Sequence, residues 1–263
     1  MDQTKRGKMI FIAGLIAIGS FLLKLFQVEE HTILQIYLIA LGGFVLTYAG
    51  TLWFSNFILN KRVLLNIIPQ GALFIFSEIL FIELFFFSKF VRIYEAVLLF
   101  IFLIVFFASS YVTFLMMNIF IVSTVKTIPL EQVAKTTSFI ISLLTAYFLT
   151  FGLLASGLNV FLIIALLAGF YGLVVYMHLS HLRLTAVFLR SGTVLTAFSM
   201  LVSTLGVFLV GNRYELVALV PTAVMFSCIS IIINLVDKKL RFSHILEHIL
   251  IFAATVLTNV FLN

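Results

Sequence analysis

The chain has 263 residues, of which 63% are hydrophobic and only 10% are charged, and its formal net charge is +6. Soluble globular domains are roughly half apolar and about a quarter charged, so this composition excludes a water-soluble fold and indicates an integral membrane protein. The basic residues cluster at the ends of apolar runs, which is typical of anchoring at a bilayer surface and argues against a nucleic-acid partner.

Nine apolar segments are long enough to cross a bilayer. A helix needs about 20 mostly apolar residues to span a hydrocarbon core about 30 Å thick. The predicted spans, in chain order, are 9–26, 33–59, 63–87, 96–119, 137–155, 158–177, 184–210, 216–236 and 242–262. No connector is long enough for a soluble domain. The predicted fold class is therefore all-α, a polytopic helical membrane bundle forming a single transmembrane domain over residues 1–263, expected in the cell (inner or plasma) membrane.

The distribution of lysine and arginine predicts the orientation, because cytoplasmic loops have the excess of these residues. With the N-terminus in the cytoplasm and nine spans, the C-terminus lies outside. This topology puts 11 of the 16 basic residues on the cytoplasmic side and three outside, while Lys24 and Arg190 fall within spans. The 11 are Lys5, Arg6, Lys8, Lys61, Arg62, Lys126, Lys135, Arg183, Lys238, Lys239 and Arg241, and the three are Lys89, Arg92 and Arg213.

The third span contains the most informative polar groups. Asn66, Gln70 and Ser77 are separated by four and seven residues, so at about 3.6 residues per turn they form one polar stripe. Glu78 lies beside this stripe near the expected bilayer midplane. A carboxyl group at that depth is protonated, paired with a cation, or exposed to a water-filled cavity. The sequence leaves open an ion or proton site and a neutral glutamate hydrogen-bonded to a neighbouring helix.

Glu83 lies closer to the outer end of the same span, five residues from Glu78 and therefore on a different face. Two basic residues within other spans are candidate partners for these acids. Lys24 matches the depth of Glu83, so we predict that they form an ion pair. Arg190 is a poorer match for Glu78, and both long side chains can also extend to the interface.

Two groups of histidines are predicted at the cytoplasmic ends of spans. His178 and His181 end the sixth span, and His244 and His248 begin the ninth. With Glu247, the latter pair spells H-x-x-E-H, which resembles the zinc-binding pattern of inverzincin metalloproteases. The resemblance implies zinc held by the two histidines with the glutamate as base, but no acidic residue follows His248 to complete that family's ligand set. The four histidines are thus candidate metal ligands, with a solvated helix face as the alternative. Haem ligation by one histidine from each group is a further alternative, so the sequence leaves the cofactor unknown.

Small residues spaced for helix packing occur at three places: Gly42 and Gly43, Gly152-x-x-x-Ser156, and Ala165-x-x-x-Gly169. They predict close helix contacts within the chain or, alternatively, a seam with a partner subunit. Three function classes remain open. The first is a non-enzymatic membrane subunit or scaffold whose partners are lipid and other membrane subunits. The second is a transporter or channel that uses the polar stripe and Glu78, and the third is a metal-dependent intramembrane enzyme.

Overall fold

The computed structural model describes residues 3–25, 31–57, 60–85, 93–124, 129–182, 184–209, 213–239 and 241–261. Every regular element in these residues is helical. The α-helices are α1 (Gln3–Leu25), α2 (Ile33–Phe54), α3 (Ile68–Phe85), α4 (Ile93–Ser123), α5 (Glu131–Ala155), α6 (Val160–Ser180), α7 (Ala186–Phe208), α8 (Tyr214–Val217), α9 (Leu219–Val236) and α10 (Phe242–Phe261), and a π-helical turn, Val63–Ile67, leads into α3. Counting this turn with α3, and α8 with α9, nine helices in the described residues are long and apolar enough to span a membrane. The predicted all-α membrane fold is confirmed.

Several helix ends differ from the predicted ones because polar residues continue a helix beyond its apolar part. α5 begins at Glu131 rather than at residue 137, and its first turns include a Glu131–Lys135 ion pair at 3.1 Å. Conversely, α2 ends at Phe54, five residues early, because Asn56 and Phe57 adopt left-handed backbone angles that terminate the helix. Hydropathy alone detects neither effect.

Some predicted positions lie outside the described residues. They are the span ends at residues 26, 59, 87, 210 and 262, and the basic residues Lys89, Arg92, Lys126 and Arg183. The orientation of the termini remains a prediction.

The chain divides into two compact units, Met1–Ile141 and Ser142–Asn263. The boundary falls inside the continuous helix α5 and does not coincide with a linker. The assignment of one domain to the whole chain remains a prediction.

In the first unit, α3 packs against α2 and α4, and α1 packs against α2 and α4. The rings of Phe54 and Phe114 meet edge to face at 5.8 Å, and both are fully buried. Glycines permit the closest approaches. A Cβ atom added to Gly43 would overlap the Ile79 side chain, and one added to Gly71 would overlap Met117, whereas Gly42 has open space around it. Gly43, rather than Gly42, is therefore the packing residue of that pair.

The π-helical turn before α3 leaves one carbonyl without a backbone donor. The Ile68 N–H donates to the Val63 carbonyl, five residues back, so the Leu64 carbonyl would need a donor at residue 69. That residue is proline, which has no N–H. The Tyr48 hydroxyl of α2 donates to the Leu64 carbonyl at 3.1 Å and so satisfies it. This bond also ties α2 to the start of the third span.

In the second unit, α7 packs against α6 and α9, and α9 packs against α10. The fully buried Tyr171 of α6 connects two neighbouring helices through its hydroxyl, which lies 2.7 Å from Thr150 Oγ1 and 3.2 Å from Thr204 Oγ1. Both threonines donate to their own helix backbones, so the phenol can donate to only one of them. The three hydroxyl groups lie together, one each from α5, α6 and α7, and one hydrogen bond ties α6 to one of its two neighbours.

Candidate functional site

Lys24, His31 and Glu83 form a polar cluster in the first unit, which we call the α3 end cluster. Lys24 Nζ lies 3.3 Å from Glu83 Oε2, and His31 Nδ1 lies 3.2 Å from the same oxygen. Lys24 is 4% exposed and Glu83 is 2% exposed, whereas His31 is half-buried. Lys24 and Glu83, which the sequence predicts to lie at the same depth in the bilayer, are in contact in the structure. The imidazole of His31 is a third member that the sequence analysis did not include.

Lys24 also contacts the backbone at the end of α3. Its ammonium group donates to the Glu83 carbonyl oxygen at 3.4 Å. The last carbonyls of a helix lack an intrahelical donor and have partial negative charge, so a cation placed there forms the missing bond and interacts favourably with the helix dipole. One side chain thus pairs with the Glu83 carboxylate and caps α3, which holds the end of α1 against the end of α3.

Glu78 lies on a different face of α3 and contacts α4. It is 5% exposed, and Ser109 Oγ lies 2.7 Å from its Oε1 and 2.9 Å from its Oε2. Ser109 Oγ also lies 2.9 Å from the Phe106 carbonyl oxygen. A hydroxyl has one hydrogen, so Ser109 cannot donate fully to both an ionised carboxylate and this carbonyl. If the carboxyl group is protonated, it donates to Ser109, and Ser109 donates to Phe106.

This relay satisfies Glu78 and Ser109 without a buried charge, which is costly in lipid. Among the described residues, Glu78 is contacted by a hydroxyl rather than by a cation. Arg190, which the sequence suggested as a less well matched partner for Glu78, is exposed near the start of α7.

The three residues of the predicted polar stripe have separate surroundings. Gln70 is buried, and its Nε2 donates to Ser138 Oγ of α5 at 2.7 Å. Ser77 is buried and donates to the Phe74 carbonyl of its own helix at 2.7 Å. Asn66 is half-buried in the π-helical turn. Gln70 therefore links α3 to α5, while Ser77 bonds within α3.

The histidines proposed as metal ligands lie at two places in the second unit. His178 and His181 are buried at the end of α6. In α10, His244 is half-buried, and the Nε2 atom of the buried His248 lies 3.1 Å from Ser230 Oγ of α9. Among the described residues, which include all four histidines and the exposed Glu247, no three His, Cys, Asp or Glu side chains are placed to share a metal ion. The structure does not assemble the group that the H-x-x-E-H pattern suggests.

No family model, curated protein or solved structure matches this chain. Its function must be argued from its own residues.

Four contributing residues were not identified from the sequence. His31 precedes α2 and could have been found from its depth, since it lies at the same end of the first unit as Lys24. The sequence contains no comparable signal for Tyr48, Ser109 and Ser138. Single hydroxyl groups are common in membrane helices, and only the fold shows what they contact.

Proposed function

We propose that this multi-pass membrane protein is a non-enzymatic subunit or scaffold of a larger membrane complex. The observation that carries the proposal is an outward face of α6, which we call the α6 face and define by Leu162, Ala165, Gly169 and Leu173. Leu162 is 47% exposed and Leu173 is 50% exposed, and a Cβ atom added to Gly169 would meet nothing within 4 Å.

Ala165 and Gly169 are both exposed and follow the small-x-x-x-small spacing that lets two helix backbones approach closely in lipid. Hydrophobicity provides no driving force for association there, because lipid tails are as apolar as leucine, so packing against a small-residue groove is an effective source of affinity. The partner we propose is a transmembrane helix of another chain that lies along the α6 face.

The test compares Gly169→Leu with Gly206→Leu in membranes from the native organism. Both glycines are exposed within helices, and a Cβ atom added to either would meet nothing within 4 Å, so the two sites are matched in their surroundings. Native gel electrophoresis of mildly solubilised membranes should show that only Gly169→Leu shifts the protein from a larger complex to the mass of the lone chain. Equal thermal denaturation of the two purified variants controls for folding.

A wild-type protein that migrates at 29.6 kDa plus its detergent would contradict the proposal, and so would a complex that survives Gly169→Leu. Photocrosslinking from position 173 provides a second readout. A crosslinker there should form an adduct with one partner protein in the wild-type background and lose it in Gly169→Leu.

Transport of protons or of a small cation is the second candidate, and the buried Glu78 favours it. An ionisable side chain inside a membrane helix is by default a candidate functional site, and here its partner is the hydroxyl of Ser109. Glu78→Gln retains the size of the side chain and one carbonyl oxygen but cannot bind or release a proton. In liposomes containing a pH-sensitive dye, a transporter should acidify the lumen after an external acid pulse, and Glu78→Gln should abolish this. Flux equal to that of empty liposomes would reject transport of protons.

A further inference from the structure

The second unit contains a groove of about 300 Å³ between α7, α9 and α10, which we call the α9 groove. α9 packs against both of the other helices, so it forms the floor and they form the walls. The polar residues lining the groove are Ser199 and Ser203 of α7, Ser227 and Cys228 of α9, and His248 of α10. The remaining lining side chains are apolar, among them Phe252.

Two buried polar atoms of residues that line the groove have no hydrogen-bond partner among the described residues. One is Nδ1 of His248, a residue that is 6% exposed, and the other is Oγ of Ser227, which is 8% exposed. The opposite ring nitrogen of His248 is engaged by Ser230, and its ring meets Phe226 edge to face with centroids 5.7 Å apart. The imidazole is thus held in place while one of its nitrogens is left to bond elsewhere.

Buried polar groups are almost always hydrogen-bonded, so two unsatisfied atoms on residues that line one groove require an explanation. We propose that the α9 groove binds the head group of an uncharged lipid alcohol, whose hydroxyl bonds to His248 and Ser227. A hydroxyl both donates and accepts, so it suits His248 in either tautomer.

The shape and charge of the groove agree with this ligand. The residues that line it include no Lys, Arg, Asp or Glu, so nothing there would neutralise a phosphate or a carboxylate. Its volume lies at the small end of ligand pockets, which run from about 300 to 1,000 Å³. Ile249 and Phe252 on its α10 wall are 57% and 37% exposed. The groove therefore holds the head and the first carbons of a chain, and the rest of the chain extends into the bilayer.

Cys228 provides a direct readout, because it is the only cysteine of the chain and it lines the groove. The rate at which N-ethylmaleimide modifies Cys228 would be measured by mass spectrometry on the full-length protein in liposomes. The added probes are 1-decanol, decane, 2-decanone and decanoate at equal membrane concentrations. With 1-decanol at about ten times its dissociation constant, we expect modification to slow about tenfold, as simple competition requires. Decane and decanoate should leave the rate unchanged.

Ser227→Ala should remove most of the protection by 1-decanol and leave the rate without probe nearly unchanged. Ser191→Ala is the matched control, because Ser191 is exposed on α7 and its hydroxyl donates to the Val187 carbonyl of its own helix. This variant should retain full protection. His248→Phe, which fills the same space without a polar atom, should behave like Ser227→Ala.

Three results would overturn the proposal. Equal protection by decane and 1-decanol would mean that the groove is filled by lipid tails without recognition of a head group. Protection by 2-decanone as strong as that by 1-decanol would assign the site to carbonyl compounds instead. An unchanged rate of Cys228 modification with 1-decanol present would show that the alcohol does not bind in the groove.

Discussion

Replacing Lys24 with methionine tests the α3 end cluster directly. Methionine retains an unbranched apolar stem and removes the ammonium group, which leaves Glu83, 2% exposed, with the His31 ring as the remaining side-chain partner of its carboxylate in this cluster. Removing one partner of a buried ion pair costs about 3–5 kcal/mol. Because His31 stays 3.2 Å from Glu83 Oε2, we expect the lower end, a loss of about 3 kcal/mol in the free energy of unfolding. That value includes the lost cap on the Glu83 carbonyl.

The assay is reversible unfolding in mixed micelles by titration with sodium dodecyl sulfate. Trp53, the only tryptophan, lies in α2 of the same unit, so its fluorescence reports this unfolding. Arg6→Met at the exposed start of α1 is the control and should change stability by less than about 0.5 kcal/mol.

The double variant Lys24→Met with Glu83→Gln decides whether the two residues are coupled. It removes both charges, so it should be more stable than Lys24→Met alone. The charge swap, Lys24→Glu with Glu83→Lys, should rescue either single reversal only in part, because a carboxylate at position 24 would face the carbonyl that the ammonium now caps. Losses that simply add in the double variant, together with no rescue by the swap, would refute the coupling that we assign to this pair.

Three further predictions use the same or simpler measurements. Tyr48→Phe leaves the Leu64 carbonyl without its donor and should cost about 1–3 kcal/mol in the micelle titration. Pro69→Ala restores a backbone N–H and should recover most of this loss, so an equal loss in both backgrounds would contradict our account of the π-helical turn. Gly43→Ala forces the terminal methyl group of Ile79 to move, so it should be less stable than Gly42→Ala by about 1 kcal/mol. Gly42→Ala, with open space around it, should be neutral or stabilising by up to about 1 kcal/mol, and similar losses at both positions would argue against the assigned contact. Reporter fusions should find the N-terminus in the cytoplasm and the C-terminus outside, and both on one face would exclude nine spans with this orientation.

The number of spans could be read from hydropathy because apolar length is a local property of the chain. The helix ends could not, since they depend on capping and on ion pairs such as Glu131–Lys135, which extend a helix past its apolar part. The π-helical turn likewise could not be predicted from the sequence alone. Pro69 is visible in the sequence, but the hydroxyl that compensates for it belongs to Tyr48, in another helix.

Matching charged residues by their expected depth in the bilayer identified a contact between side chains that lie near helix ends. Lys24 and Glu83 were matched because both are expected near the outer ends of their spans, and the structure places them 3.3 Å apart. Glu78 lies further inside α3, and its contact with Ser109 could be found only from the packing of α3 on α4. The H-x-x-E-H pattern was the least informative motif. His248 bonds to Ser230 in α9, which a motif confined to α10 cannot reveal.

The contact between Lys24 and Glu83 also constrains how the protein is made. The two residues are 59 positions apart, so at a synthesis rate of about 5–20 residues per second the lysine emerges roughly 3–12 seconds before its acidic partner. During that interval the first hydrophobic segment must enter the bilayer with a lone cation. Lys24 lies one residue from the end of α1, so its flexible stem can reach the lipid head groups until the third segment arrives. A lysine at the middle of the first segment could not reach the lipid head groups. That segment could then insert only after the third segment had been synthesised.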